Sequence, residues 1–227
     1  MSSEQLENSR CSVIETPHNF SKSLSLLQSS LPKPALRLEL VESAELPADY
    51  SKSIYPTKLT EGETVDPIVL ELKGKTYCSI CFDEPANKYY ITDAESGIFI
   101  KVNQETVLVD KQIISFGKNH MIAHIKEHEL ELHFIEGPKM GEMYKVTSNE
   151  ITYVGRMVDC KIVFEDMEMS RYQCYVYYDR TKGWIINDGD GFKASLNGTW
   201  IFTQKKTEVS DQMVFTSADS VFKINLS

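Results

Sequence analysis

From residue 36 onward, apolar and polar residues alternate in short runs with a period of two. Leu36-Arg37-Leu38-Glu39-Leu40 and Leu130-Glu131-Leu132-His133-Phe134 each predict a strand with one face turned to a core. Between them come Ile68-Val69-Leu70, Tyr77-Cys78-Ser79-Ile80-Cys81-Phe82, Tyr89-Tyr90-Ile91, Gly97-Ile98-Phe99-Ile100 and Ile113-Ile114-Ser115-Phe116, each bounded by turn residues. No long run at helical spacing interrupts them, so the predicted fold class is all-β. The first 35 residues differ. They are Ser-rich and polar, broken by Pro17, Pro32 and Pro34, and predict a mostly irregular tail over 1–35. Within that tail Phe20, Leu24 and Leu27 recur at helical spacing. The stripe is either incidental in a frayed tail or a short helix that docks on the body or on a partner.

The order of runs repeats. Cys78 in Tyr-Cys-Ser-Ile matches Cys174 in Gln-Cys-Tyr-Val, Asp93 matches Asp188, Gly97 matches Gly198 and Asp110 matches Asp211. The drift in these offsets is what loops of different length produce between two copies of one fold. The predicted organisation is therefore two tandem β-sandwiches, over 36–127 and 128–227.

Three short strings in the second copy carry candidate chemistry: Gly155-Arg156, then Ser170-Arg171-Tyr172-Gln173-Cys174, then Asn197-Gly198-Thr199-Trp200. Each alone is an ordinary surface turn. In this order, with a Trp-containing strand between the last two, they resemble the signature of the forkhead-associated (FHA) domain, a β-sandwich that binds phosphothreonine peptides. The resemblance covers about 129–227. It implies that Arg156 supplies a guanidinium fork to the phosphate and Ser170 a hydroxyl and backbone N–H. It implies further that Arg171 touches phosphate or peptide backbone and that Asn197 grips the peptide main chain. Gly155, Gln173, Gly198 and Trp200 would support the loops. Two positions depart from the family pattern: Gln173 stands where His is common, and Leu196 stands where a hydroxyl residue often precedes the Asn. Gln both donates and accepts, so it suits the loop-holding role, and Ser195 lies one residue back. The first copy resembles a degenerate FHA domain. Glu63 follows Gly62, Gly74-Lys75-Thr76-Tyr77 replaces the Ser-Arg motif and Ser96 replaces the Asn, which leaves Lys52, Lys58 and Lys75 as the nearby cations.

Composition narrows the partners. With 33 acidic against 24 basic residues and a net charge of −9, neither nucleic acid nor an anionic membrane is expected as a primary partner. No apolar run approaches the roughly 20 residues that span a bilayer, and Met1-Ser2-Ser3-Glu4-Gln5-Leu6-Glu7 lacks the layout of a secretory signal. Five cysteines without framework spacing point to a reducing compartment, cytoplasm or nucleus. His124, His128 and His133 fall on a strand-and-turn pattern too spread for one metal ion. Cys78 and Cys81 would face opposite sides of a strand. No cofactor or metal is expected, and no nucleophile elbow, phosphate loop or kinase motif supports an enzyme. The expected function is a phosphothreonine-dependent protein-interaction adaptor. The alternative is a constitutive structural subunit of a large assembly, such as a cytoskeletal one, with a vestigial pocket.

Overall fold

The computed structural model describes residues 33–43, 46–54, 66–72, 75–93, 97–203, 205–217 and 219–227. Among them there is no helix, and so none long and apolar enough to cross a membrane. The first copy runs through β1 (Leu36–Ser43), β2 (Ser51–Ile54), β3 (Ile68–Leu72), β4 (Lys75–Asp83), β5 (Lys88–Asp93), β6 (Ile98–Lys101), β7 (Thr106–Val107), β8 (Gln112–Phe116) and β9 (Asn119–Lys126). The second runs through β10 (Glu129–Glu136), β11 (Met143–Thr147), β12 (Thr152–Gly155), β13 (Ile162–Val163), β14 (Cys174–Asp179), β15 (Gly183–Asp188), β16 (Trp200–Thr203), β17 (Thr207–Glu208), β18 (Val214–Ser217) and β19 (Ser220–Leu226). The tail stripe of Phe20, Leu24 and Leu27 lies outside the described residues, as do Lys58, Gly62, Glu63, Gly74 and Ser96.

The period-two reading holds at the level of single side chains. On β1, Leu36 and Leu38 are buried while Arg37 is exposed; on β10, Leu130, Leu132 and Phe134 are buried. The repeat holds at the level of register. Cys78 sits opposite Asp93 in the β4–β5 ladder, as Cys174 sits opposite Asp188 in β14–β15. The Asp110 carboxylate accepts the Ile125 N–H at 2.9 Å, and the Asp211 carboxylate accepts the Leu226 N–H at 2.8 Å. Each is followed by a residue at positive φ, Lys111 and Gln212.

Two hydrophobic cores result, and each draws on both copies. One packs residues from Leu36 to Ile98 together with Val209, Met213, Phe215, Phe222 and Ile224. The other runs from Val102 to Trp184 and Ile186 and includes Leu108, Ile114, Phe116, Met121 and Ala123 of the first copy. The sequence copies 36–127 and 128–227 are thus not each one whole sandwich. The cause is the turn between β9 and β10. Only Glu127 and His128 separate Lys126 from its partner Glu129, so the last strand of the first copy and the first strand of the second must form a hairpin. That leaves β1 without β9, and β19 pairs with it instead, Leu36 opposite Leu226 through Ser43 opposite Ser220. Strands β7–β9 complete the second sandwich and β17–β19 the first. The sheets fuse where β6 meets β16, giving one ten-stranded sheet in the order β11-β10-β9-β8-β16-β6-β18-β19-β1-β2. A five-stranded sheet, β13-β12-β14-β15-β7, and a four-stranded one, β17-β5-β4-β3, close the two cores.

Cys78 is buried and Cys81 exposed, one thiol inward and one outward, as the strand pattern predicts. His124 and His133 stack edge to face across β9–β10 at 4.7 Å, while the His128 ring nitrogen shares a hydrogen bond with Tyr178 Oη at 2.7 Å.

Candidate functional site

Eighteen residues separate β12 from β14, where the first copy has two between β3 and β4. Only the second sandwich carries this long loop. The first copy's Lys52 is engaged elsewhere, donating to the Val69 carbonyl at 2.8 Å.

Gly155 is what brings the two arms of the loop together. A Cβ there would stand 2.2 Å from the Arg171 carbonyl oxygen, so only glycine permits the approach. The pairing continues past the strand: Arg156 N–H donates to Ser170 O at 3.1 Å and Met157 N–H to Arg171 O at 3.2 Å. Backbone bonds therefore set Arg156 beside Ser170 and Arg171. These three side chains line one pocket of 540 Å³, whose wall also includes Lys193, Ser195 and Leu196. Arg156, Arg171 and Lys193 form no ion pair among the described residues, and Arg156 Nε is buried without a hydrogen-bond partner. Against these three cations the pocket wall carries two carboxylates, Glu168 and Asp190. The Asp190 carboxylate accepts the Lys193 and Phe192 N–H groups of its own turn, which together with the nearby Arg171 charge hold its carboxyl below the usual range.

The opposite wall is locked from behind. Gln173 is fully buried, and its Nε2 donates to Ser195 Oγ at 2.8 Å, Gly198 O at 3.0 Å and Thr199 Oγ1 at 3.4 Å. Ser195 and Thr199 in turn donate to Asp188 Oδ1, at 2.6 and 2.7 Å. Ser195 thus spends its hydroxyl inward and does not stand in for a hydroxyl residue at 196. Leu196 stands at that position, 82% exposed, and its N–H donates to Ser170 Oγ at 2.8 Å. This fixes the Ser170 oxygen and leaves its proton free to donate. Asn197 lines the two adjoining clefts rather than the Arg156 pocket itself. Its carbonyl accepts Trp200 Nε1 at 3.1 Å, and Gly198 takes the positive φ, +72°, that closes the turn.

Replacing Gln173 with Ala would strip a buried carbonyl and two hydroxyls of their shared donor, at a cost of about 1–3 kcal/mol. We expect a lower thermal midpoint, together with weaker ligand binding at a pocket that Gln173 does not touch. A folded variant with unchanged binding would show that the network is not what positions this wall. Sequence reasoning missed Lys193 and the Asp188–Thr199 anchor. The Gly189-Asp190-Gly191 turn that carries Lys193 to the rim was the available signal. Among the described residues, no three His, Cys, Asp or Glu side chains gather as a metal site.

Residues 152–221 match the family model of the FHA domain. No curated protein and no solved structure matches the chain. The matched stretch runs along the sequence from β12 into β19, and so crosses from one sandwich into the other.

Proposed function

We propose that this chain is an adaptor that holds a phosphothreonine peptide in the pocket lined by Arg156, Ser170 and Arg171; residues 152–221 match the family model of the FHA domain, a type of module that generally binds phosphothreonine in partner proteins. The observation that carries this reading is the state of Arg156. Its backbone is bonded to that of Ser170, its side chain lines the same pocket with one buried N–H unmatched, and no carboxylate pairs with it among the described residues. A phosphate monoester brings up to two charges and three acceptor oxygens, which suit a guanidinium, a hydroxyl proton and the neighbouring cations Arg171 and Lys193. The loop ends are tied to a rigid scaffold, so little ordering is left to occur on binding. Nothing in the pocket offers an activated nucleophile, and the nearby thiol of Cys174 is buried, its pKa driven up by desolvation.

The test is fluorescence polarisation with a library of phosphothreonine peptides and their unphosphorylated twins. Binding confined to the phosphorylated set is expected. Arg156→Ala should weaken it by about 1.5–3 kcal/mol, the range for a charged hydrogen bond, or roughly ten- to 150-fold. Equal binding of both sets would end the proposal. The rival reading, a structural subunit with a vestigial pocket, draws on Leu196, which puts an exposed aliphatic chain where a donor would serve the ligand. Phosphatase treatment of the native complex separates the two, because only the adaptor is released.

A further inference from the structure

Because the two sandwiches share one sheet, the phosphate pocket opens onto a surface that neither would have alone. Leu196 lines both that pocket and a second cleft of 730 Å³ at the fusion of the sheets. Asn197 and Trp200 form one side of this cleft; Glu42, Phe99 and Thr216, all from the other sandwich, form the far side. The register shows how they come together. Phe99 is opposite Thr216, Thr216 opposite Val221 and Val221 opposite Glu42, one row across four neighbouring strands. At the ordinary strand spacing that row is about 14 Å from Phe99 to Glu42. Phe99 presents a half-buried ring packed on Phe202 at 5.1 Å. Glu42, at the other end, is exposed and has no ion pair among the described residues.

We infer that this joint cleft is a specificity site for the same phosphopeptide, and that it selects an arginine or lysine a few residues from the phosphothreonine. The inference rests on the adaptor reading above. A peptide seated at Arg156 and passing over Leu196 and Asn197 runs directly into the cleft. There the aliphatic stem of a long basic side chain covers Phe99 and Thr216 while its charge meets Glu42. Arginine suits both ends, since its planar head packs on rings and forks onto a carboxylate. The site reads residues from both halves of the chain at once, so its selectivity depends on the strand exchange.

A phosphothreonine library with four varied positions on each side of the phosphate tests this on the full chain. Wild type should enrich Arg or Lys at one position, and replacing that residue with Ala should cost up to about fivefold in affinity, the upper range for a solvent-exposed ion pair. Glu42→Lys should abolish the enrichment and turn it toward Asp or Glu. An unaltered basic preference in Glu42→Lys, or no basic preference in a wild type that still demands phosphate, overturns the cleft and leaves the adaptor standing. A wild type indifferent to phosphate overturns the adaptor reading instead.

Discussion

Ending the chain at Thr203 should unfold the sandwich built around the opposite end of the sequence and spare the one that carries the phosphate pocket. The removed segment holds β17, β18 and β19 and, with them, Val209, Met213, Phe215, Phe222 and Ile224 of the core around Leu36 and Ile80. Each buried side chain of this size contributes about 1.5–3 kcal/mol. Their joint loss is on the order of the whole stability of a domain. It also strips β1 of β19, its partner along its full length, and leaves it only β2 beside its first half. The other core contains no residue beyond Trp184 and Ile186, apart from Ile201 packed at its margin. Cysteine accessibility reads the outcome. In the intact chain Cys78 is fully buried and its pKa is pushed up to about 11 by burial, so it resists alkylation. In the shortened chain Cys78 should label at the rate of an exposed thiol while Cys174 stays protected. Fluorescence from Trp184 should change little, because Trp184 belongs to the surviving core, whereas Trp200, which faces the joint cleft and pairs with Lys101 of β6, should respond. The reverse pattern, Cys174 labelled and Cys78 protected, would mean that each copy closes on itself and the exchange does not occur.

The all-β class, the repeat and the three loop motifs could be read from residue order because each is local. Alternation, turn residues and a Gly-Arg step are written in neighbouring positions. The match of Cys78 to Cys174 and Asp93 to Asp188 survives as identical ladder register for the same reason. Strand exchange is not local. A strand such as Ser220–Leu226 carries the same alternating face whether it pairs with β1 or β10, so its pattern is silent about its partner. The two-residue link Glu127-His128 was the informative feature, since a turn that short compels the strands it joins to be neighbours. Asn197 illustrates a second limit. Its motif places it beside the pocket, but which cleft it borders depends on the sheet fusion at β6 and β16, and that is set by tertiary structure alone.

Within the site, a one-atom change at Gly155 is expected to have a large effect. Its missing side chain is the space through which the Arg171 backbone passes. An added Cβ would lie 2.2 Å from the Arg171 oxygen, 2.9 Å from its carbonyl carbon and 3.0 Å from Tyr172 Cα. All three atoms belong to the backbone, so no rotamer change relieves the clash and the two arms must separate. Separation breaks Arg156 N–H to Ser170 O and Met157 N–H to Arg171 O, the bonds that set the Arg156 backbone against that of Ser170. Gly155→Ala should therefore cost about 1–3 kcal/mol of stability through overpacking. It should also weaken phosphopeptide binding as much as Arg156→Ala does, although Arg156 is still present. Gly183→Ala provides the contrast. Gly183 sits at φ +90° at the start of β15, and a methyl added there would find nothing within 4 Å, so the change strains the backbone without touching a neighbour. It should lower stability by about 1–2 kcal/mol and leave peptide affinity intact. Calorimetric melting and peptide titration of both variants decide the matter. If Gly155→Ala binds phosphopeptide like wild type, the close approach of the two arms is not what builds the pocket, and Arg156 must reach its ligand by another arrangement of the loop.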